Sequence, residues 1–154
     1  KLFTEAHVLT ETEIFSRYEI ILESYCKVIG IEANTMLDMA KKDILPAVSA
    51  YSKELADTAI AKHSLIKDCA CSYEEEIVKE ISELTSELYK AVKALEDAVD
   101  KATESDVLKL ALYYKDVIIP AMDAVRTPAD KLELITAKKY WPFPTYGDLL
   151  FGVR

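Results

Sequence analysis

The sequence predicts an all-α fold: a bundle of four long helices, two bent at a proline, with a short fifth helix and an ordered aromatic C-terminal tail. Three observations carry this. Only three of 154 residues are glycine, and Gly30 is the single one before Gly147. Apolar residues recur at three- and four-residue spacing along most of the chain, which puts them on one side of a helix. Two stretches, Thr10-Glu-Thr-Glu13 and Ser72-Tyr-Glu-Glu75, have the form of a capping box, a polar residue and a glutamate that satisfy each other's first-turn N–H groups. At this length one domain suffices, able to bury roughly two-thirds of its unfolded surface.

Taken in order, the Thr10 box opens a first helix over 11–29. Its stripe is Ile14, Tyr18, Ile21, Leu22, Tyr25, Val28 and Ile29, and Gly30 stands where a helix stops at a C′ glycine. A second helix restarts near Glu32 and reaches toward Lys67, on the stripe Thr35, Met36, Met39, Ala40, Ile44, Ala47, Val48, Tyr51, Leu55, Ala59 and Ile60. Pro46 lies inside it and must kink or break it, because the ring removes a donor and crowds the preceding turn. The Ser72 box opens the third helix. There Ile77, Ile81, Leu84, Leu88, Ala91, Leu95, Ala98 and Ala102 alternate steps of four and three, the seam of antiparallel bundle packing.

A fourth helix follows Ser105, apolar on more than one face and so expected at the centre, with Pro120 interrupting it. Thr127-Pro-Ala-Asp130 reads as the start of a short fifth helix to about residue 136. Lys42-Asp-Ile-Leu-Pro-Ala-Val48 is echoed by Lys115-Asp-Val-Ile-Ile-Pro-Ala-Met122, one residue longer before the proline. The last stretch, 137–154, holds the only Trp and two of the five prolines. Pro142 and Pro144, two apart, exclude helix locally. Its aromatic content is wrong for a disordered tail. It reads as an extended docking strap whose contact residues are Trp141, Phe143, Pro144, Tyr146 and Phe151, laid on this bundle or on another chain.

The net charge of −8 is concentrated. Residues 72–106 carry eleven acids against four lysines, a net of −7, and the rest of the chain is close to neutral. Nucleic acid requires a basic face, so it is excluded as a partner. An anionic membrane gains nothing from this surface, and the longest apolar run, 117–122, is too short to span a bilayer. No secretory leader opens the chain, and three cysteines (Cys26, Cys69, Cys71) without framework spacing fit reduced thiols in the cytoplasm. The chain opens on Lys1 without methionine, as expected of a piece of a longer protein.

Signs of chemistry are sparse. His7 and His63 close no metal-binding motif, and Cys69-Ala-Cys71 has no second pair to complete a zinc site. Glu76 with Glu80, and Glu83 with Glu87, share one side of the third helix, but interleaved lysines make that side a solvated face. No phosphate-cradling glycine loop or nucleophile elbow is present. The expectation is no catalytic residue, no metal and no cofactor in this chain.

Ser16-Arg-Tyr-Glu-Ile20, Leu22-Glu-Ser-Tyr25, Ile31-Glu-Ala-Asn-Thr-Met36 and Ile44-Leu-Pro-Ala47 are followed far downstream by Tyr140-Trp-Pro-Phe-Pro-Thr-Tyr-Gly-Asp-Leu-Leu-Phe151. Together they resemble the C-terminal region of bacterial type III glutamine synthetases. The resemblance runs the length of the chain and is thinnest over 66–106. It implies that 1–10 form the junction from an upstream catalytic domain, ahead of the helical bundle over 11–136 and the docking tail over 137–154 already read from the residues. It also implies a parent that joins glutamate and ammonia using ATP and a divalent metal, Mg or Mn, with those ligands upstream of Lys1. The expected partners are that catalytic domain and neighbouring subunits of a dodecamer, and the expected role is non-catalytic support of assembly or regulation. A free-standing adaptor presenting the seam or acidic face of 72–106 to a protein partner is the alternative, and a small-molecule pocket between the kinked helices a third reading.

Overall fold

The computed structural model describes residues 2–66 and 68–152, and among them the fold is all-α, with no strand. After a short helix α1 (Leu2–Glu5) the chain forms three long helical rods. The first joins α2 (Glu11–Met39) to α3 (Leu45–Leu65) through a π turn at Ala40–Ile44. The second is α4 (Ser72–Asp100). The third joins α5 (Val107–Tyr113) to α6 (Ile119–Ile135) through a π turn at Tyr114–Ile118. A six-residue helix α7 (Tyr146–Phe151) closes the described chain.

Two expected breaks are therefore absent. Gly30 does not end a helix; it lies inside α2, and the ring of Tyr114 rests on it. A Cβ there would sit 3.1 Å from the Tyr114 hydroxyl, so the glycine serves a close approach between rods. The separate fifth helix is also absent, because α6 runs through Thr127 with Pro128 inside it. The Thr127 hydroxyl donates back to the Asp123 carbonyl (3.0 Å), so this threonine is bonded within the helix and does not cap a new one. The end expected near Lys67 lies outside the described residues; the helix itself stops at Leu65.

Pro46 and Pro120 are the second residues of α3 and α6, two positions beyond the end of each π turn. Leu45 N–H donates to the Ala40 carbonyl and Ile119 N–H to that of Tyr114, five residues back in each case. Widening one turn relieves the crowding that a proline ring imposes on an α-helical carbonyl four residues earlier. The two echoed segments coincide with these two π turns, so the echo is structural.

The centre is α4, not the rod 107–135. It packs on α3 along one side and α6 along another. Ile81, Leu88, Val92 and Leu95 on it are essentially solvent-free, beside Ile118, Val125 and Leu132 of the third rod and Val48 of the first. The seam largely behaves as its spacing predicts, with Ile77 and Ala91 half-buried and Val92 added. The rod 107–135 looked central because it is apolar on two faces, yet Leu108, Leu112, Val117 and Leu134 face water. Thr10 caps α2 with its full capping box, and Asp106 caps α5 by accepting from Leu108 and Lys109 N–H. Ser72 does not cap α4; Cys71 holds that position without a side-chain bond. Glu74 turns inward to an ion pair with Lys62, which ties the end of α3 to the start of α4.

Candidate functional site

The C-terminal stretch divides into two halves with different surroundings. Over 137–145 the prolines keep the chain out of helix, and a turn forms as Tyr140 N–H donates to the Ala137 carbonyl at 2.8 Å. This brings three aromatic rings back onto the bundle. Tyr140 lies 5.4 Å from the ring of Tyr51, and Trp141 meets Phe143 edge to face at 6.2 Å and 78°. All three are half-buried against the core. The indole N–H of Trp141 is buried without a hydrogen-bond partner among the described residues.

Glu54 on α3 fastens this half. Its carboxylate accepts from Lys139 at 2.6 and 2.9 Å and from the Tyr140 hydroxyl. The Lys139 bond, then that of Tyr140, holds the Glu54 carboxyl below its ordinary range. Nearby, the Tyr51 phenol is pushed up to about 12, first by its hydrogen bond with Tyr73 and then by burial.

The second half is a helix where an extended strap was expected. Thr145 and Asp148 form a capping box: Asp148 N–H donates to the Thr145 hydroxyl at 3.3 Å, and Thr145 N–H donates to the Asp148 carboxylate at 3.0 Å. Lys138 reaches the same carboxylate at 2.6 Å. With Lys138 and then Thr145 donating to it, Asp148 is held down to about 2. Three apolar residues stand out from α7: Leu149, Leu150 and Phe151, the last 80 % exposed.

Of the five strap residues, Trp141 and Phe143 lie together on the bundle, Pro144 is exposed beside them, and Phe151 points to water. The Tyr146 side chain lies outside those described.

A second apolar surface was not anticipated. Tyr18, Ile21 and Val28, which helical spacing assigned to the buried stripe, are exposed along residues 15–31 of α2, together with Phe15, Ile20 and Ile31. Over that stretch the covered side is narrow, with Leu22, Tyr25, Cys26 and Ile29 buried or half-buried. The signal in the sequence was an excess of apolar residues over what one stripe needs: Phe15 and Ile20 fall outside it.

Candidate chemistry does not converge. Among the described residues there is no group of three or more His, Cys, Asp or Glu side chains placed to hold a metal ion. His7 is exposed at φ 55°, and His63 lies 3.8 Å from Glu75 on the surface. Burial raises the thiol pKa of Cys26 and of Cys71, which makes both poor nucleophiles. Glu76, Glu80, Glu83 and Glu87 are exposed. No described helix is long and apolar enough to cross a membrane.

A family model described as the glutamine synthetase C-terminal domain matches residues 1–63. The chain is 38 % identical over 154 residues to the glutamine synthetase of Butyrivibrio fibrisolvens, an alignment covering 99 % of this chain and 22 % of that protein. It is 32 % identical over 159 residues to the type-3 glutamine synthetase of Dictyostelium discoideum, covering 98 % and 21 %. A third match, at 27 % identity over 149 residues, is the glutamine synthetase of Bacteroides fragilis, covering 94 % and 20 %. The chain thus spans about a fifth of the length of these curated relatives, and the fifth it matches is C-terminal.

Proposed function

The chain belongs to the glutamine synthetase C-terminal domain family, and from that premise we propose that it is a non-catalytic helical domain supporting assembly or regulation of a glutamine-forming enzyme. In this reading glutamate, ammonia, ATP and a divalent metal are handled by the upstream part of the parent. The domain docks on that part, or on a neighbouring subunit of a dodecamer, through its apolar surfaces.

One observation carries the reading. A domain matching only the C-terminal fifth of its relatives leaves Phe15, Ile21 and Ile31 each 67 % exposed on a single helix. Concentrated apolar exposure of this kind marks a surface that something else covers. The adaptor reading retains only the exposed acidic face of α4, because the seam that it would also offer to a partner is spent inside the bundle.

Removing residues 1–154 from the parent enzyme tests the proposal. The expected result is a smaller assembly by native mass spectrometry, lower glutamine synthesis, or both. An unchanged mass together with unchanged activity would overturn it.

A further inference from the structure

Resting on the reading of this chain as a docked part of a larger enzyme, we propose that the groove between the first half of α2 and the start of α5 seats a basic, apolar segment from the upstream part of the same enzyme. The groove has a volume of about 910 Å³. Ile14, Phe15, Tyr18 and Leu108 make it apolar, and Glu19, Glu23 and Asp106 line it with carboxylates. Leu108 and Tyr18 remain 45 % and 43 % exposed. Large apolar groups beside carboxylates fit a segment with an apolar anchor flanked by Arg or Lys. A guanidinium there stacks on an aromatic face and pairs with a carboxylate at once.

Glu19 and Glu23 are available for this, whereas Asp106 also caps α5 by accepting from the N–H groups of Leu108 and Lys109. Glu19 has no ion pair among the described residues. Glu23 is paired with Lys27 at 3.3 Å and Asp106 with Lys109 at 3.9 Å, both on the exposed surface. Exposed pairs of this kind contribute little and exchange readily for a better partner.

Charge then selects among occupants. A second copy of this domain is a poorer fit: outside the acidic stretch 72–106 the chain is close to neutral, so it has no concentrated basic segment to set against these carboxylates. The upstream part of the enzyme is the better one. It comprises about four-fifths of the relatives' length, and residues 2–10 lead from it directly to the first wall of the groove at Ile14. A covalent tether that short raises the effective concentration of the partner segment.

The test uses the full-length enzyme with the photo-crosslinking residue benzoylphenylalanine in place of Phe15. The expected crosslink joins position 15 to an upstream peptide containing Arg or Lys. Glu19→Lys with Glu23→Lys should cut its yield about tenfold, as like charge now faces like charge. Glu83→Lys with Glu87→Lys, on the solvated face of α4, should leave the yield unchanged. Unaltered circular dichroism of each variant shows that the fold is intact, as expected for exposed positions. Crosslinks to another copy of this domain, no crosslink at all, or a yield indifferent to the Glu19 and Glu23 reversal would each overturn the proposal. If deletion of the domain disturbs assembly while the crosslink goes elsewhere, the groove assignment alone fails. If deletion has no effect, the domain's role fails instead.

Discussion

Gly30 shows how one atom decides between neighbouring helices. An alanine at an interior helix position is ordinarily better than glycine by up to about 1 kcal/mol. Here the added Cβ would meet the Tyr114 hydroxyl at 3.1 Å, and the ring must yield by a few tenths of an ångström. Asn34 adds a bond from its amide to the Gly30 carbonyl at 2.8 Å, so this turn is fixed from its own helix as well. We expect Gly30→Ala to change stability by less than about 1 kcal/mol, because helix propensity and crowding oppose each other. Gly30→Val, with branched bulk against the same ring, should cost about 1–3 kcal/mol in urea unfolding. Placing Gly30→Ala in a Tyr114→Phe background removes the nearest atom and should make the alanine favourable. Wild-type stability in Gly30→Val would show that the approach is looser than 3.1 Å implies.

At the scale of the element, α7 is too short to persist on propensity alone, and its end chemistry must hold it. Asp148 does this by accepting from Thr145 and from Lys138, which lowers its pKa from 3.8 to about 2. A carboxyl depressed in the folded state contributes stability above its unfolded pKa, and the contribution is lost as pH falls through the folded value. Its contribution should therefore be full at neutral pH, decline below about pH 4, and be lost as pH falls through about 2. The side-chain carboxyl of Asp148, followed by NMR, should titrate with a midpoint near 2, with the Leu149 amide shift moving in step. Asp148→Asn should abolish the step. A midpoint near the ordinary 3.8 would mean that the Thr145 and Lys138 bonds do not persist in solution. The π turns are the other element-scale feature, each letting one long helix carry a proline without ending.

For the molecule as a whole, the C-terminal stretch packs its first half on the bundle and leaves its second half exposed. Trp141 and Phe143 are packed on the core, whereas Phe151 touches little of it. Trp141→Ala should lower the stability of the isolated domain by about 2 kcal/mol, the cost of losing a largely covered aromatic ring. Phe151→Ala should stay within about 0.5 kcal/mol of wild type, as exposed substitutions do. Denaturant melts of the two variants decide this; equal melts would place the whole strap outside the fold. The same division leaves Leu149, Leu150 and Phe151 of α7 exposed while Trp141 lies against the bundle.

The sequence alone determined what depends on neighbours along the chain. The all-α class, the start of α2 at the Thr10 box, the seam of α4 and the non-helical prolines Pro142 and Pro144 all follow from spacing and local donors, which act within a turn or two. The resemblance to glutamine synthetases was likewise legible in the order of short motifs. Only the tertiary structure decided the rest. Gly30 resembles a helix end until the Tyr114 ring is seen across it, and Pro128 resembles a start until α6 is seen to continue. Ser72 looked like a cap, yet inward burial of Glu74 beside Lys62 sets how α4 begins. Exposure was the least legible property. A helical stripe shows which residues share a face, but Ile21 and Val28 are wet because no second rod covers that face. Whether a face is covered depends on residues distant in sequence, and hydrophobic spacing carries no record of them.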